Sequence, residues 1–284
     1  MARDDLRKRD FWRDFAPDLH IADDAFLAPG NSAPDDARNA AAASGIRNEG
    51  YTQLPGLAGG MDAPAMASVA RRLSARGIDP VFVFVYDECW RPFYRLDALY
   101  RHLLGDYAFL PNLWAWDVDG ARGGAGWGPH RDVGRAALME DGAPKSLTTW
   151  IAVSEATPLN GCLYMVPSQY DPTYGTENDG NWQFDHASIR ALPAGPGDVL
   201  MWNQAVVHWG GKASPLAAES RVSLSFEVQR VDTLPPETPV IAPWTIVPFT
   251  ERLMLIGQKI LHYKHMHKVS PEMEALAREL AEAE

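Results

Sequence analysis

Between residues 80 and 235 the chain is a succession of short apolar segments, cut at close intervals by turn chemistry such as "DGARGGAG", "TPLNG", "PSQYDPTYG" and "LPAGPGD". Glycine and proline at that density leave no room for long helices. Many short strands must bury one face against another sheet, so the pattern predicts a β-sandwich or barrel. "PVFVFVYDECW" is read as the first strand of this core, and "NEGYTQLPGL" as a strand and turn preceding it. Helical periodicity is confined to "APAMASVARRLSARG" (63–77), "RLDALYRHLLG", and two segments after Pro243, the second opening with Ser270 as a cap and Pro271 at the first helical position. The expected class is mainly β with flanking helices. Residues 46–284 form one domain, with a β core over about 80–235 and helices over about 248–284. Residues 1–45 are expected to be an extension of short helices or partial disorder.

Thirty-seven acidic residues against 26 basic ones give a formal charge of −11, and no basic run offsets it, so nucleic acid is not an expected partner. The opening residues lack the apolar core of a signal peptide. No apolar stretch approaches the roughly 20 residues that cross a bilayer, and a cytoplasmic location away from membranes is expected. Cys89 and Cys162 lack metal-site spacing and are expected to be reduced structural thiols.

"GWGPHRDVG" (126–134) places His130 and Asp132 two residues apart in a segment too rich in glycine and proline for a helix. In an extended chain residues i and i+2 share a face about 7 Å apart, so both side chains aim at one point while Arg131 faces away. Alone the pair is weak, since a histidine bonded to a surface aspartate is the commoner outcome. "GDVLMWNQAVVHWGG" then delivers His208 directly ahead of a glycine turn. Two histidines and one carboxylate occupy one face of an octahedral metal and leave three positions open, as in non-haem Fe(II) oxygenases. "ESRVSLSFE" adds Arg221 and Ser223 on alternate positions of the next strand. A buried guanidinium calls for an anion, and its planar fork suits a carboxylate, either a ligand's or the protein's own.

The order of these segments, with "LTTWIAVSEATPLNGCLYMVPSQYD" between them, resembles the phytanoyl-CoA dioxygenase-like branch of the Fe(II)- and 2-oxoglutarate-dependent oxygenases over residues 46 to 230. The resemblance implies a double-stranded β-helix, a jelly-roll or cupin-like barrel. It implies His130, Asp132 and His208 as iron ligands and Arg221, helped by Ser223, as the clamp for the distal carboxylate of 2-oxoglutarate. O2 is the other cosubstrate, and a C–H bond of a small molecule is hydroxylated with release of succinate and CO2. The halogenating relatives carry a small residue where Asp132 stands, which favours hydroxylation here. Ser168, Gln169 and Tyr170 depart from the family's glycine, serine and histidine and leave the pocket entrance open to question.

Trp114 and Trp116 share a strand face and are candidates to wall the cosubstrate or substrate, against ordinary aromatic packing. Thr149 is a candidate donor to the cosubstrate, against plain strand. Trp202 and Asn160 fit the family pattern as readily in structural roles. His262, His265 and His267 in "HYKHMHK" are read as a solvated basic face and not a second metal site, and the last helix as a route to a homodimer. A metal-dependent barrel without redox chemistry, a zinc hydrolase or isomerase, accounts for both histidines and Asp132 but not for Arg221 with Ser223. No clustered basic patch awaits coenzyme A, which favours a small metabolite or natural-product intermediate as substrate.

Overall fold

The computed structural model describes residues 3–29, 35–181, 183–236 and 238–282, so residues 1–2 and 30–34 of the expected extension and the final two residues lie outside the described residues. Eight strands run β1 Tyr51–Leu54, β2 Tyr107–Val118, β3 Ser146–Ala152, β4 Leu163–Met165, β5 Arg190–Leu192, β6 Val199–Asn203, β7 His208–Gly210 and β8 Arg221–Arg230. They make a five-stranded antiparallel sheet in the order β1-β6-β3-β8-β2 and a three-stranded one in the order β5-β4-β7. The two sheets face each other as a jelly roll. The α-helices are α1 Arg9–Phe15, α2 Asp24–Leu27, α3 Asp36–Glu49, α4 Ala63–Ala75, α5 Arg91–Tyr94, α6 Asp97–Leu104, α7 Phe249–Tyr263 and α8 Pro271–Ala281.

Alternation on the large sheet sorts its side chains between two environments. Val222, Leu224, Phe226 and Val228 of β8, with Leu147 and Ile151 of β3, face the helices and belong to the main core. There Phe226 packs on Phe109, Trp90 and Phe93 at ring separations of 4.9, 5.3 and 5.6 Å. The opposite face carries Trp150, Leu200 and Trp202, which pack with Leu163 and Met165 of the small sheet in a second core. Arg221, Ser225 and Glu227 share that face and line the open end of the barrel. In β2 the register slips between Phe109 and Leu113, around Pro111. Proline cannot donate to a ladder and is tolerated at such a bulge on an edge strand.

Two expectations are corrected. "PVFVFV" is a buried 3-10 helix, Pro80–Val85, and not a strand. Asp79 caps it by accepting from Val81 N at 3.0 Å, with Pro80 at its first position. An all-apolar run buried on every side carries no period that tells strand from helix. The segment before residue 46 carries short helices as expected, and they pack into the core: Trp12 is fully buried, stacks on Phe82 at 5.6 Å and donates from Nε1 to Leu6 O at 2.8 Å. Asp87 ties that segment down, accepting from Ala22 N and Asp23 N at 2.9 and 2.8 Å while pairing with Arg252 of α7 at 2.6 Å, both side chains fully buried. Lastly, the apolar stripe of α8, Met273, Leu276, Ala277 and Leu280, packs against α7, so it is not on offer to a second copy. Gly257 permits that packing, since a Cβ there would stand 2.6 Å from Ala277 O. Cys89 and Cys162 are both free and buried, and no helix of the described residues is long and apolar enough to cross a membrane.

Candidate metal centre

His130 and His208 meet because their backbones pair. His130 N donates to His208 O at 3.0 Å and His208 N to His130 O at 2.9 Å, an antiparallel hydrogen-bonded pair whose side chains stand on one face. The same short ladder continues with Gly210 N to Trp127 O at 3.1 Å and Gly126 N to Gly211 O at 3.2 Å. Only glycine admits this approach, because a Cβ on Gly126 would lie 2.4 Å from the Cα of Gly210. The imidazoles are 4.3 Å apart, and Asp132 Oδ1 lies 3.5 Å from His130 Nε2 and 3.4 Å from His208 Nε2. One ligand atom from each of the three residues falls within 4.8 Å of the others. Arg131 faces away as expected, its guanidinium bound to Asp171 at 2.7 Å and to Asp179 O at 2.8 Å.

The atoms not aimed at the centre are all held. Nδ1 of His130 is 2.7 Å from Gly128 O and Nδ1 of His208 is 3.1 Å from Val206 O. Donation to these carbonyls fixes the tautomer in which each Nε2 presents a lone pair. Asp132 Oδ2 accepts from Thr148 Oγ1 at 2.8 Å and Trp202 Nε1 at 2.9 Å, which turns Oδ1 to the centre. Burial and the neighbouring His130 hold His208 down at about 4, so its imidazole is neutral at physiological pH. Burial opposes ionisation of Asp132, but His208, His130 and Thr148 outweigh it and keep the carboxyl well below the usual range. Burial also works against the charge on His130, yet the neighbouring Asp132 carboxylate and the Gly128 carbonyl raise it above its ordinary value.

The three residues open onto a cavity of roughly 380 Å³ between the sheets. Arg221 lines one end, 1% exposed, and among the described residues its guanidinium makes a single hydrogen bond, to Ser223 Oγ at 2.6 Å, with no acceptor for Nε. Burial lowers it to about 10 even though Cys162 and Asp117 favour the charge. Trp150 Nε1 and His130 Nε2 are likewise buried with no hydrogen-bond partner. Three orphaned polar atoms around one cavity are expensive unless a polar ligand and a cation fill it, so these residues fit a metal with an anionic partner.

Trp114 and Trp116 do face the cavity, where Trp127 joins them at 5.9 and 5.4 Å. Thr149 does not. It sits on the core face of β3, fully buried, and its hydroxyl accepts from Tyr100 at 2.9 Å; the threonine on the cavity side is Thr148, one residue earlier. Asn160 holds its turn, accepting from Thr157 N at 2.7 Å and donating to Glu155 O at 2.8 Å. Ser168, Gln169 and Tyr170 form a 3-10 turn away from the cavity. "HYKHMHK" is not simply a solvated face: His267 lies 4.9 Å from the Trp114 ring and 3.1 Å from Asp79 Oδ2, while His262, Tyr263, His265 and Met266 roof the cavity.

Sequence reasoning missed Thr148, Glu227 and this roof. The first two were within reach of it, because period-2 alternation from Trp150 and from Arg221 points to them. Nothing local marks the roof. Burial and the charge of Asp132 push Glu227 up to about 7.

The phytanoyl-CoA dioxygenase (PhyH) family matches residues 68–215. Dioxygenase lolE1 from Epichloe uncinata is 26% identical over 145 residues, 49% of this chain and 53% of that protein, so the chain spans about half the length of this curated relative. The epimerase SnoN in complex with Fe3+, alpha ketoglutarate and nogalamycin RO has a TM-score of 0.53 at 22% identity, covering 74% of this chain and 97% of SnoN. The apo non-heme monooxygenase ThoJ has a TM-score of 0.55 at 12% identity, covering 84% of this chain and 98% of ThoJ. At those identities the solved structures speak for the fold, and the family match spans more than half of the chain. This chain belongs to the phytanoyl-CoA dioxygenase family.

Proposed function

We propose that the chain is an Fe(II)- and 2-oxoglutarate-dependent oxygenase that hydroxylates an unactivated C–H bond of a small molecule. The observation that carries this reading is the convergence of His130, Asp132 and His208, each with its outward atom tethered, in one cavity with an arginine that has no anion. The family and the iron and alpha ketoglutarate bound to SnoN support it. His130, Asp132 and His208 would hold the iron, and Arg221 with Ser223 would take the distal carboxylate of 2-oxoglutarate. When bound, the pair supplies dioxygen activation: one oxygen atom goes to the substrate as a hydroxyl, the other to succinate, and CO2 leaves.

The chain's own contribution is orientation and exclusion of water. Thr148 and Trp202 keep one carboxylate oxygen of Asp132 engaged, so the other stays directed at the metal. The carbonyls of Gly128 and Val206 hold the Nδ1 proton of each neutral imidazole, so that its Nε2 lone pair turns to the metal. Trp114, Trp116, Trp127 and Tyr263 give the substrate side an apolar wall beneath the end of α7.

Purified protein with ferrous iron is expected to convert 2-oxoglutarate to succinate, slowly even without substrate, and Asp132→Ala to abolish this. No turnover together with tight stoichiometric zinc would favour a hydrolase or isomerase. A product heavier by one oxygen atom derived from O2 supports hydroxylation, whereas an isomer, or loss of two hydrogens, moves the outcome to epimerisation or ring closure.

A further inference from the structure

Glu227 is a carboxyl that the proposed chemistry does not use. It lines the same cavity and, apart from Asp132, is the sole acidic residue that does so among the described residues. It sits on the cavity face of β8 six residues beyond Arg221, about 20 Å along the strand. It pairs across the sheet with Thr148, the residue that holds Asp132. Arg221 and Glu227 therefore stand at opposite ends of the cavity face of β8, and Asp132 is tied to the Glu227 end through Thr148.

Its position is built. Asn112, turned inward by the slip in β2, donates from Nδ2 to Glu227 Oε2 at 3.0 Å. The amide of Asn112 is itself oriented, since its Oδ1 accepts from the buried Lys259 Nζ at 2.6 Å. Gln204, the other amide nearby, donates to Thr148 Oγ1 at 3.3 Å. The single amide donor of Asn112 leaves about three of a carboxylate's four lone-pair sites for something in the cavity. Trp114 and Trp127 line the same cavity, and Trp114 pairs with Ser225, one step from Glu227 on the same face. A fixed carboxylate next to indole faces is the combination that recognises organic cations.

We propose that Glu227 is the specificity-determining residue of the substrate half of the cavity and that it takes a protonated amine, so that the substrate is a small, largely apolar molecule carrying a basic nitrogen. This rests on reading the cavity as the substrate site. In the proposed ternary complex one ferrous ion and Arg221 carry three positive charges, and 2-oxoglutarate and Asp132 three negative ones. Those charges cancel; the buried Lys259 acts on Glu227 from behind Asn112, and the lone pairs that Asn112 leaves open are what the carboxylate turns to the substrate. The net charge of −11 favours approach of a cation in the same sense.

Benzylammonium and its neutral near-isostere benzyl alcohol separate charge from apolar burial. Binding is read by tryptophan fluorescence on the full chain at about pH 8.5, above the value of about 7 to which Glu227 is raised, without and with zinc, so that Asp132 is occupied by metal in one arm. Wild type is expected to prefer the ammonium roughly tenfold to a hundredfold, the worth of one charge-assisted hydrogen bond, in both arms. Glu227→Gln is expected to lose that preference while keeping its affinity for the alcohol, and Glu227→Asp to retain a reduced preference. Equal binding of the two probes by wild type, absence of ammonium binding, or an undiminished preference in Glu227→Gln would overturn the proposal. Should Glu227→Gln fail to fold, an undiminished preference in Glu227→Asp does the same. No turnover enters this measurement, so a negative succinate assay would remove the oxygenase reading without touching this result.

Discussion

Arg221→Met should make the protein more stable and less able to bind 2-oxoglutarate. The guanidinium is 1% exposed, has one neutral hydrogen bond to Ser223, and offers an Nε with no acceptor. Burial brings it from its ordinary value down to about 10, which at about 1.4 kcal/mol per pH unit is a cost of about 3 kcal/mol for holding the charge in the folded protein. The cost is present throughout the range below about 10, where the arginine is charged both folded and unfolded. Methionine fills much of the same volume without charge, and loss of the Ser223 bond gives back about 1 kcal/mol. The net gain of about 2 kcal/mol corresponds to a rise in Tm of roughly 4–8 °C for the cosubstrate-free protein. With 2-oxoglutarate the sign reverses. A bidentate guanidinium–carboxylate pair at about 1.5–3 kcal/mol per bond implies an affinity loss of roughly a hundredfold to ten-thousandfold. Thermal melts of zinc-loaded wild type and variant, with and without 2-oxoglutarate, read both effects. A variant that melts below wild type without cosubstrate, or that is stabilised by 2-oxoglutarate as much as wild type, refutes the reasoning.

The raised His130 makes metal binding a competition with a proton. The protonated form is favoured in the metal-free fold, so its stabilising pair with Asp132 is fully present below the unfolded value and lost as pH rises through the folded one. Metal affinity has the opposite slope and should fall about tenfold per pH unit below the His130 value, as seen by calorimetric zinc titration; a flat profile from pH 5 to about 8 would contradict it. Thr148→Val keeps the shape of a buried strand position and removes one of two donors to Asp132 Oδ2, and is expected to weaken zinc binding roughly tenfold to a hundredfold in a chelator competition. Trp12→Ala, in the segment the sequence reads as short helices or partial disorder, should cost about 3–5 kcal/mol and lower Tm by on the order of 10 °C; a shift of a degree or two would detach α1 from the core.

Local periodicity alone determined a good part of this molecule. Alternation with period 2 put His130 with Asp132, Arg221 with Ser223, and Trp114 with Trp116 on shared faces, while capping and 3.6-residue spacing placed α4, α6, α7 and α8, because these patterns follow from backbone geometry within a few residues. Thr149 shows the limit: two adjacent threonines alternate by rule, but which one meets the cavity depends on the sheet's position between helices and small sheet. The tertiary structure decided what depends on pairing between distant segments. It brought His130 opposite His208 across a glycine contact, folded "PVFVFV" as a 3-10 helix within a fully apolar surround, buried Trp12, and carried the end of α7 over the cavity. Such contacts come from burial and packing across the whole chain, which no short window of sequence encodes.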